Sequence, residues 1–225
     1  MAVALLAVAA TGARAATTVE FKPGGGRFDA FSGVAVQGDK GVNRIRVGFE
    51  ADADRFVIRD KASRMLGEQC ERIDRHALRC ETAFDGELRV RGEDGDDILR
   101  LRRNMPRSGV LLGGRGHDVI RGGAREDFLD GGGAQDLISG GSGGDSLDGR
   151  GGDDVMRGGA GDDLLGAVEE PGRDTFLGGG GRDDISAVNR DADRRIDCGT
   201  GPDIAYVDPE DPRAKRCERV RTIKL

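Results

Sequence analysis

Through the middle of this chain an apolar residue stands at every ninth position: Ile120, Leu129, Ile138, Leu147, Met156 and Leu165. Two places before each stands an aspartate, and a glycine-rich stretch precedes the aspartate. Cut at the glycines, the first three units read GGRGHDVIR from Gly113, GGAREDFLD from Gly122 and GGGAQDLIS from Gly131. The next three are GGSGGDSLD from Gly140, GRGGDDVMR from Gly149 and GGAGDDLLG from Gly158. After the insertion Ala167-Val168, a degenerate unit, EEPGRDTFL, starts at Glu169, and GGGGRDDIS starts at Gly178. All eight units carry Asp in sixth place: Asp118, Asp127, Asp136, Asp145, Asp154, Asp163, Asp174 and Asp183. The last two carry Phe176 and Ile185 in the apolar eighth place.

A fixed period of this length signals a repeat architecture. The three residues around the apolar one are expected to form a short strand with the apolar side chain inward. The six glycine-rich residues between strands then form a turn, where glycine supplies positive φ and close backbone approach. Two units complete one coil, so residues eighteen apart stack at the interstrand spacing of about 4.8 Å. Asp118, Asp136 and Asp154 should therefore form one column, and Asp127, Asp145 and Asp163 a second.

Outside the array, Arg44–Glu50 alternates, with Ile45, Val47 and Phe49 on one face. Arg55–Arg59 and Leu88–Arg91 also read as strands, and no long stretch has helical periodicity. The open ends of a solenoid need cover. Residues 16–112 are thus expected to be a β-rich N-terminal cap, 113–186 the repeat array, and 187–225 a C-terminal cap. Residues 1–15 read as a signal peptide: Ala2–Ala10 is a short apolar run, and Ala13-Arg14-Ala15 has the small-x-small form of a cleavage site. No basic residues precede that run, so the printed start is expected to fall inside a longer leader. The expected location is secreted, extracellular.

Composition sharpens this picture. Of 225 residues 39 are Gly, and aromatics make up 4%, which is little apolar bulk for an ordinary globular core. The net charge is −6, but residues 113–186 hold seven Arg against sixteen Asp and Glu, a local balance of −9. A local acidic excess argues against a nucleic-acid partner and for cations. Columns of carboxylates repel unless a cation separates them. Calcium takes six to eight oxygen ligands at irregular angles, whereas magnesium demands a stricter shell. The array lacks nitrogen and sulfur ligands at regular spacing, which disfavours zinc and copper. Candidate metal ligands are the eight sixth-place aspartates, together with the turn backbones at Gly114, Gly116, Gly123, Gly132, Gly141, Gly143, Gly152, Gly159 and Gly161.

At these residues the chain resembles the RTX, or haemolysin-type, calcium-binding repeat family, whose pattern is G-G-x-G-x-D-x-apolar-x. The resemblance covers about a third of the chain. It implies an all-β fold: a right-handed parallel β-roll (β-solenoid) with β-rich caps and several Ca2+ ions held between turns by sixth-place Asp and turn carbonyls. Arg125 and Ala134 replace the fourth-place Gly, and Arg150 a second-place Gly, so distorted sites are expected there. Asp174, in a unit without leading glycines, is expected to be a poorer ligand. GEDGDDILR from Gly92, with Asp97, and CGTGPDIAY from Cys198, with Asp203, look like imperfect outlying units. The flanks more weakly resemble secreted calcium-binding proteins of high-GC actinobacteria.

Other motifs lead nowhere. Asp191-Ala192-Asp193 begins like an EF-hand loop but lacks the required Gly and Glu. His76 and His117 are the two histidines, and neither sits in a catalytic pattern. Cys70, Cys80, Cys198 and Cys217 form no Cys-x-x-Cys pair; their spacings suit two local disulfides, Cys70–Cys80 and Cys198–Cys217. The expected function is non-catalytic: a secreted calcium-binding structural or interaction module whose folding depends on calcium. An accessory domain of an extracellular hydrolase or epimerase, and a carbohydrate-binding adhesin, are the rival readings. Calcium is the expected partner, with a cell-surface glycan or protein beside it, and no membrane span is expected.

Overall fold

The computed structural model describes residues 16–22, 33–38, 41–50, 55–60, 64–67, 70–74, 77–81, 87–166 and 171–224. The expected signal peptide, and His76, lie outside the described residues. Every regular element in them is a strand, and none of their segments forms a helix long and apolar enough to cross a membrane.

The N-terminal strands are β1 (Ala16–Lys22), β2 (Gly33–Gln37), β3 (Arg44–Glu50), β4 (Arg55–Asp60), β5 (Arg64–Gly67), β6 (Cys70–Asp74) and β7 (Ala77–Glu81). Then follow β8 (Glu87–Asp94), β9 (Ile98–Leu101), β10 (Gly109–Arg115), β11 (Val119–Arg121), β12 (Phe128–Gly133), β13 (Leu137–Ser142) and β14 (Ser146–Gly151). The last are β15 (Val155–Ala160), β16 (Leu164–Gly166), β17 (Thr175–Gly180), β18 (Asp184–Ala187), β19 (Arg195–Thr200), β20 (Ile204–Val207) and β21 (Arg219–Thr222). The strands form two sheets, one of eleven strands and one of ten, and from β7 to β20 successive strands alternate between them. From β2 and β3 onward, neighbours along the stack are parallel, so the chain coils as a β-solenoid.

The register follows the repeat. Leu111, Leu129, Leu147 and Leu165 pair across one sheet, eighteen apart, and Ile120, Ile138 and Met156 across the other. The Ala167-Val168 insertion lengthens the step to twenty, from Met156 to Phe176 and from Leu165 to Ile185. Segment 102–108 lengthens an earlier step to twenty-one, from Leu99 to Ile120, and tucks Met105 into the core. These residues are 0–2% exposed and form two facing ladders of one side chain per strand. Burying each contributes about 1.5–3 kcal/mol.

Two features differ from the sequence-based picture. Strands such as β12, β13, β14 and β15 are six residues long, not three, and run on into the glycines of the next unit. Their first-place glycine is buried beside the apolar eighth-place residue, on the same inward side. In addition, the sheets continue without a break past residues 112 and 187, so both expected caps contain coils of the same stack. At the N-terminal end, antiparallel β4, β7 and β6 extend the ten-stranded sheet. Cys70 lies opposite Cys80 in the β6–β7 register, and their side chains lie outside the described ones. At the far end a Cys198–Cys217 disulfide ties β19 to the segment before β21, as the spacing suggested.

Candidate metal centre

The sixth-place aspartates stack into two columns, one on each edge of the coil. Each aspartate's main-chain N–H donates to Oδ1 of the aspartate one coil further on. In the first column Asp97 donates to Asp118, Asp118 to Asp136, Asp136 to Asp154, and Asp154 to Asp174, at 2.7–2.8 Å. In the second, Gly109 donates to Asp127, Asp127 to Asp145, Asp145 to Asp163, Asp163 to Asp183, and Asp183 to Asp203, at 2.7–3.0 Å. Degenerate Asp174 keeps its place, and outlying Asp97 and Asp203 join the columns, as their sequence context suggested.

Four members were missed in the sequence. Asn43 heads the first column and donates its N–H to Asp97; the spacing Gly38-x-x-Gly41-x-Asn43 was the available signal. Asp193 accepts from Asp174 and donates to Asp211. Its apolar partner Ile196 follows three places on instead of two, which hides the period. Glu218 ends the second column by accepting from Asp203, a longer acid doing the work of Asp.

The second carboxylate oxygen is the chemically informative one. Oδ2 of Asp118, Asp136, Asp145, Asp154, Asp163, Asp183, Asp193 and Asp203 is buried and accepts no hydrogen bond. In all of these but Asp193 and Asp203 it lies over the first-place glycine of its own unit: a Cβ built on Gly113 would stand 2.2 Å from Asp118 Oδ2. A Cβ on Gly113 would also stand 2.4 Å from the Gly131 carbonyl oxygen of the next coil, so the carboxylate and the neighbouring backbone together explain the leading glycine. The second- and fourth-place glycines answer a different need. At Gly132 φ is +104°, and a Cβ would meet the Gly114 carbonyl oxygen at 2.0 Å.

Orphaned carboxylate oxygens in a dry stack are costly as anions. Burial pushes Asp136 up to about 8, and the charges of Asp154, Asp118 and Asp130 push the same way. Burial likewise raises Asp145, Asp154 and Asp163 to about 7, and Asp118, Asp174 and Asp183 to about 6. Asp193 stands at about 8 through burial and the charges of Asp211, Asp174 and Asp208. The donor set fits a hard cation: oxygen atoms only, one anionic oxygen per turn, beside turn carbonyls. Among the described residues no three acidic, thiol or imidazole side chains converge on one point. A cation here would therefore draw most of its shell from main-chain carbonyls and water.

The departures from the pattern do not behave alike. Ala134 and Arg150 adopt the left-handed conformation that glycine would, with φ of 83° and 63°. Arg150 also reaches Asp130 and Asp148 at 3.1 and 3.0 Å. The turn Gly122–Asp127 instead changes shape: neither Gly123 nor Arg125 has positive φ, and the preceding strand β11 stops at Arg121. There the Gly123 N–H donates to Asp127 Oδ2 at 2.6 Å. Burial still raises the Asp127 carboxyl, against the pull of the hydrogen bonds from Gly123 and Gly109. His117 sits exposed in a turn, with its ring near the Gln135 main chain.

The fold and the columns define a parallel β-solenoid with a column of buried carboxylates along each edge. Within it, residues 112–147, 130–165 and 170–187 match a family model, the RTX calcium-binding nonapeptide repeat in four copies. The chain carries RTX repeats, and RTX repeats bind calcium. Comparison with curated proteins and with solved structures gave no match.

Proposed function

We propose that this chain is a non-catalytic, exported module in which calcium completes the fold of the repeat stack. The ions sit along the two edges, each beside an orphaned Oδ2 and the second- and fourth-place carbonyls of stacked turns. The ligand aspartates are Asp118, Asp136, Asp145, Asp154, Asp163 and Asp183, with Asp174 weaker through its contact to Asn189 Nδ2 at 3.5 Å. Asp127 and Gly123 serve the fold of their own turn instead. The observation that carries this reading is the row of buried, unpartnered carboxylate oxygens. A ligand that binds only the coiled state stabilises it by mass action.

Titration calorimetry of the full chain from chelator into calcium tests the reading. Binding with release of protons is expected, because carboxyls raised to about 6–8 must ionise to hold the metal. No heat and no proton release on adding millimolar calcium would refute it. Export is tested separately, by sequencing the N-terminus of protein recovered from culture medium.

A further inference from the structure

The outward side of the ten-stranded sheet carries a row of arginines that the calcium reading does not use. Arg46 of β3 pairs with Arg100 of β9, Arg100 with Arg121 of β11, Arg121 with Ser139 of β13, and Ser139 with Arg157 of β15. Their strand neighbours Ile45, Leu99, Ile120, Ile138 and Met156 face the core, so these positions face out. Arg46, Arg121 and Arg157 are exposed. At one strand per step the row runs about 19 Å. Arg59 of β4, also exposed, lies across from Arg46 and lengthens it.

Four like charges in line repel unless something offsets them. Among the described residues no carboxylate forms an ion pair with Arg46, Arg100, Arg121 or Arg157. Arg100 Nε is buried without a hydrogen-bond partner. Four arginines elsewhere do pair: Arg150 with Asp130 and Asp148, Arg194 with Asp153, and Arg195 and Arg216 with Asp197. The corresponding outward row of the other sheet carries Asp130 and Asp148. The cationic row is therefore particular to one face of a chain that is net acidic.

We propose that this face docks a linear polyanion, specifically an acidic polysaccharide lying across the strands. The row is one residue wide and straight, which suits a single extended chain. An extended sugar unit is about as long as the step between strands, so successive acid groups can meet successive guanidinium groups. Alongside runs an outward aliphatic row, Ile98, Val119, Leu137 and Val155, against which sugar ring faces can pack. The row offers no aromatic side chain on which a nucleobase could stack, which single-strand binders rely on. Acidic turns bound the face at both edges, through Asp96 and Asp153 on one side and Glu126 and Asp162 on the other. They would repel a broad phosphate surface such as a duplex or an anionic bilayer more than one narrow chain. Calcium on those edges offsets their charge, so docking should tighten when the turns are loaded.

The test uses the full chain in saturating calcium and measures binding to immobilised dextran sulfate, with uncharged dextran as control. The expected result is binding to the sulfated polymer alone, weakening with salt. The triple variant Arg46→Gln/Arg121→Gln/Arg157→Gln should bind about tenfold more weakly, the combined loss of three exposed ion pairs. Arg182→Gln, on a turn, should bind like wild type. Each variant's circular dichroism response to calcium is recorded in parallel, so a failure of the calcium reading is seen apart from a failure of the arginine row. Equal binding by the triple variant and wild type would overturn the proposal. So would tighter binding to single-stranded DNA or to phosphatidylserine vesicles than to the polysaccharide.

Discussion

Two turns on the same edge of the coil, Gly122–Asp127 and Gly158–Asp163, share the sixth-place Asp and the same ladder bond through Oδ1. They differ in what becomes of Oδ2. In the second turn Gly159 and Gly161 take φ of 122° and 123°, and Asp163 Oδ2 stays buried without a partner. In the first turn the left-handed pair is absent, and the Gly123 N–H satisfies Asp127. An aspartate in the right place is thus not enough. The hand of the backbone before it separates a carboxylate oxygen left unpartnered from one spent on the turn itself.

Residue type alone does not set that hand. Ala134 fills the same fourth place as Arg125 yet adopts φ of 83°. Its turn is clamped from both sides: its N–H donates to the Gly151 carbonyl, and Gly116 below donates to Gly133. The Gly122–Asp127 turn begins its column, and beneath it lies the irregular segment 102–108 instead of a repeat turn. For these two turns the difference lies in the coil beneath: a formed repeat turn under Ala134, and none under Arg125.

The largest expected contrast is between the two aspartates. Asp163→Ala should remove a calcium site and with it about 2.7 kcal/mol of calcium-induced stabilisation at a hundredfold excess over Kd. Asp127→Ala should leave the number of bound ions unchanged and cost about 1 kcal/mol with or without calcium, through its hydrogen bonds alone. Chemical denaturation of both variants in chelator and in calcium reads this directly. Equal calcium dependence of the two losses would erase the distinction between the turns.

Next in size is pH. The carboxyls with folded values of about 6–8 start from 3.8. Below about pH 4 they are protonated in both folded and unfolded chains and do not affect the balance. As pH rises, the unfolded chain loses its protons first, so the calcium-free coil loses stability steadily up to about pH 8. Asp197, held low by hydrogen bonds from Arg216 and Arg195, acts in the opposite sense but is a single group. The melting temperature in chelator should therefore fall between pH 4 and 8. A rise over that window would mean the carboxylates are already satisfied.

The columns were legible because a strict step of eighteen places like on like in a parallel stack, so periodicity alone gave Asp118, Asp136 and Asp154 as neighbours. The inward first-place glycine was not legible. Its causes are a carboxylate folding back over it from five residues on and a carbonyl of the next coil, contacts that no strand or turn preference encodes. Asp193 and Glu218 were hidden for a related reason: insertions shift the spacing while the ladder bond survives. Arg125, Ala134 and Arg150 looked equivalent as substitutions, because the neighbour that separates them lies one coil away.

Smaller substitutions probe the clamp. Ala134→Gly should stabilise the chain by about 1 kcal/mol, since it relieves a left-handed non-glycine residue. Arg125→Gly should leave the calcium count unchanged, because no repeat turn lies beneath it. A gain of one ion in equilibrium dialysis of Arg125→Gly would show that the fourth residue, not the neighbouring coil, decides the turn.

Hydrogen exchange of the full chain, in chelator and then in millimolar calcium at pH 7.5, tests most directly whether calcium completes the fold. Amides of 113–186 should exchange fast in chelator and become protected together as calcium is added, with magnesium at the same concentration giving little protection. Equal protection of that segment in chelator and in calcium would contradict the account.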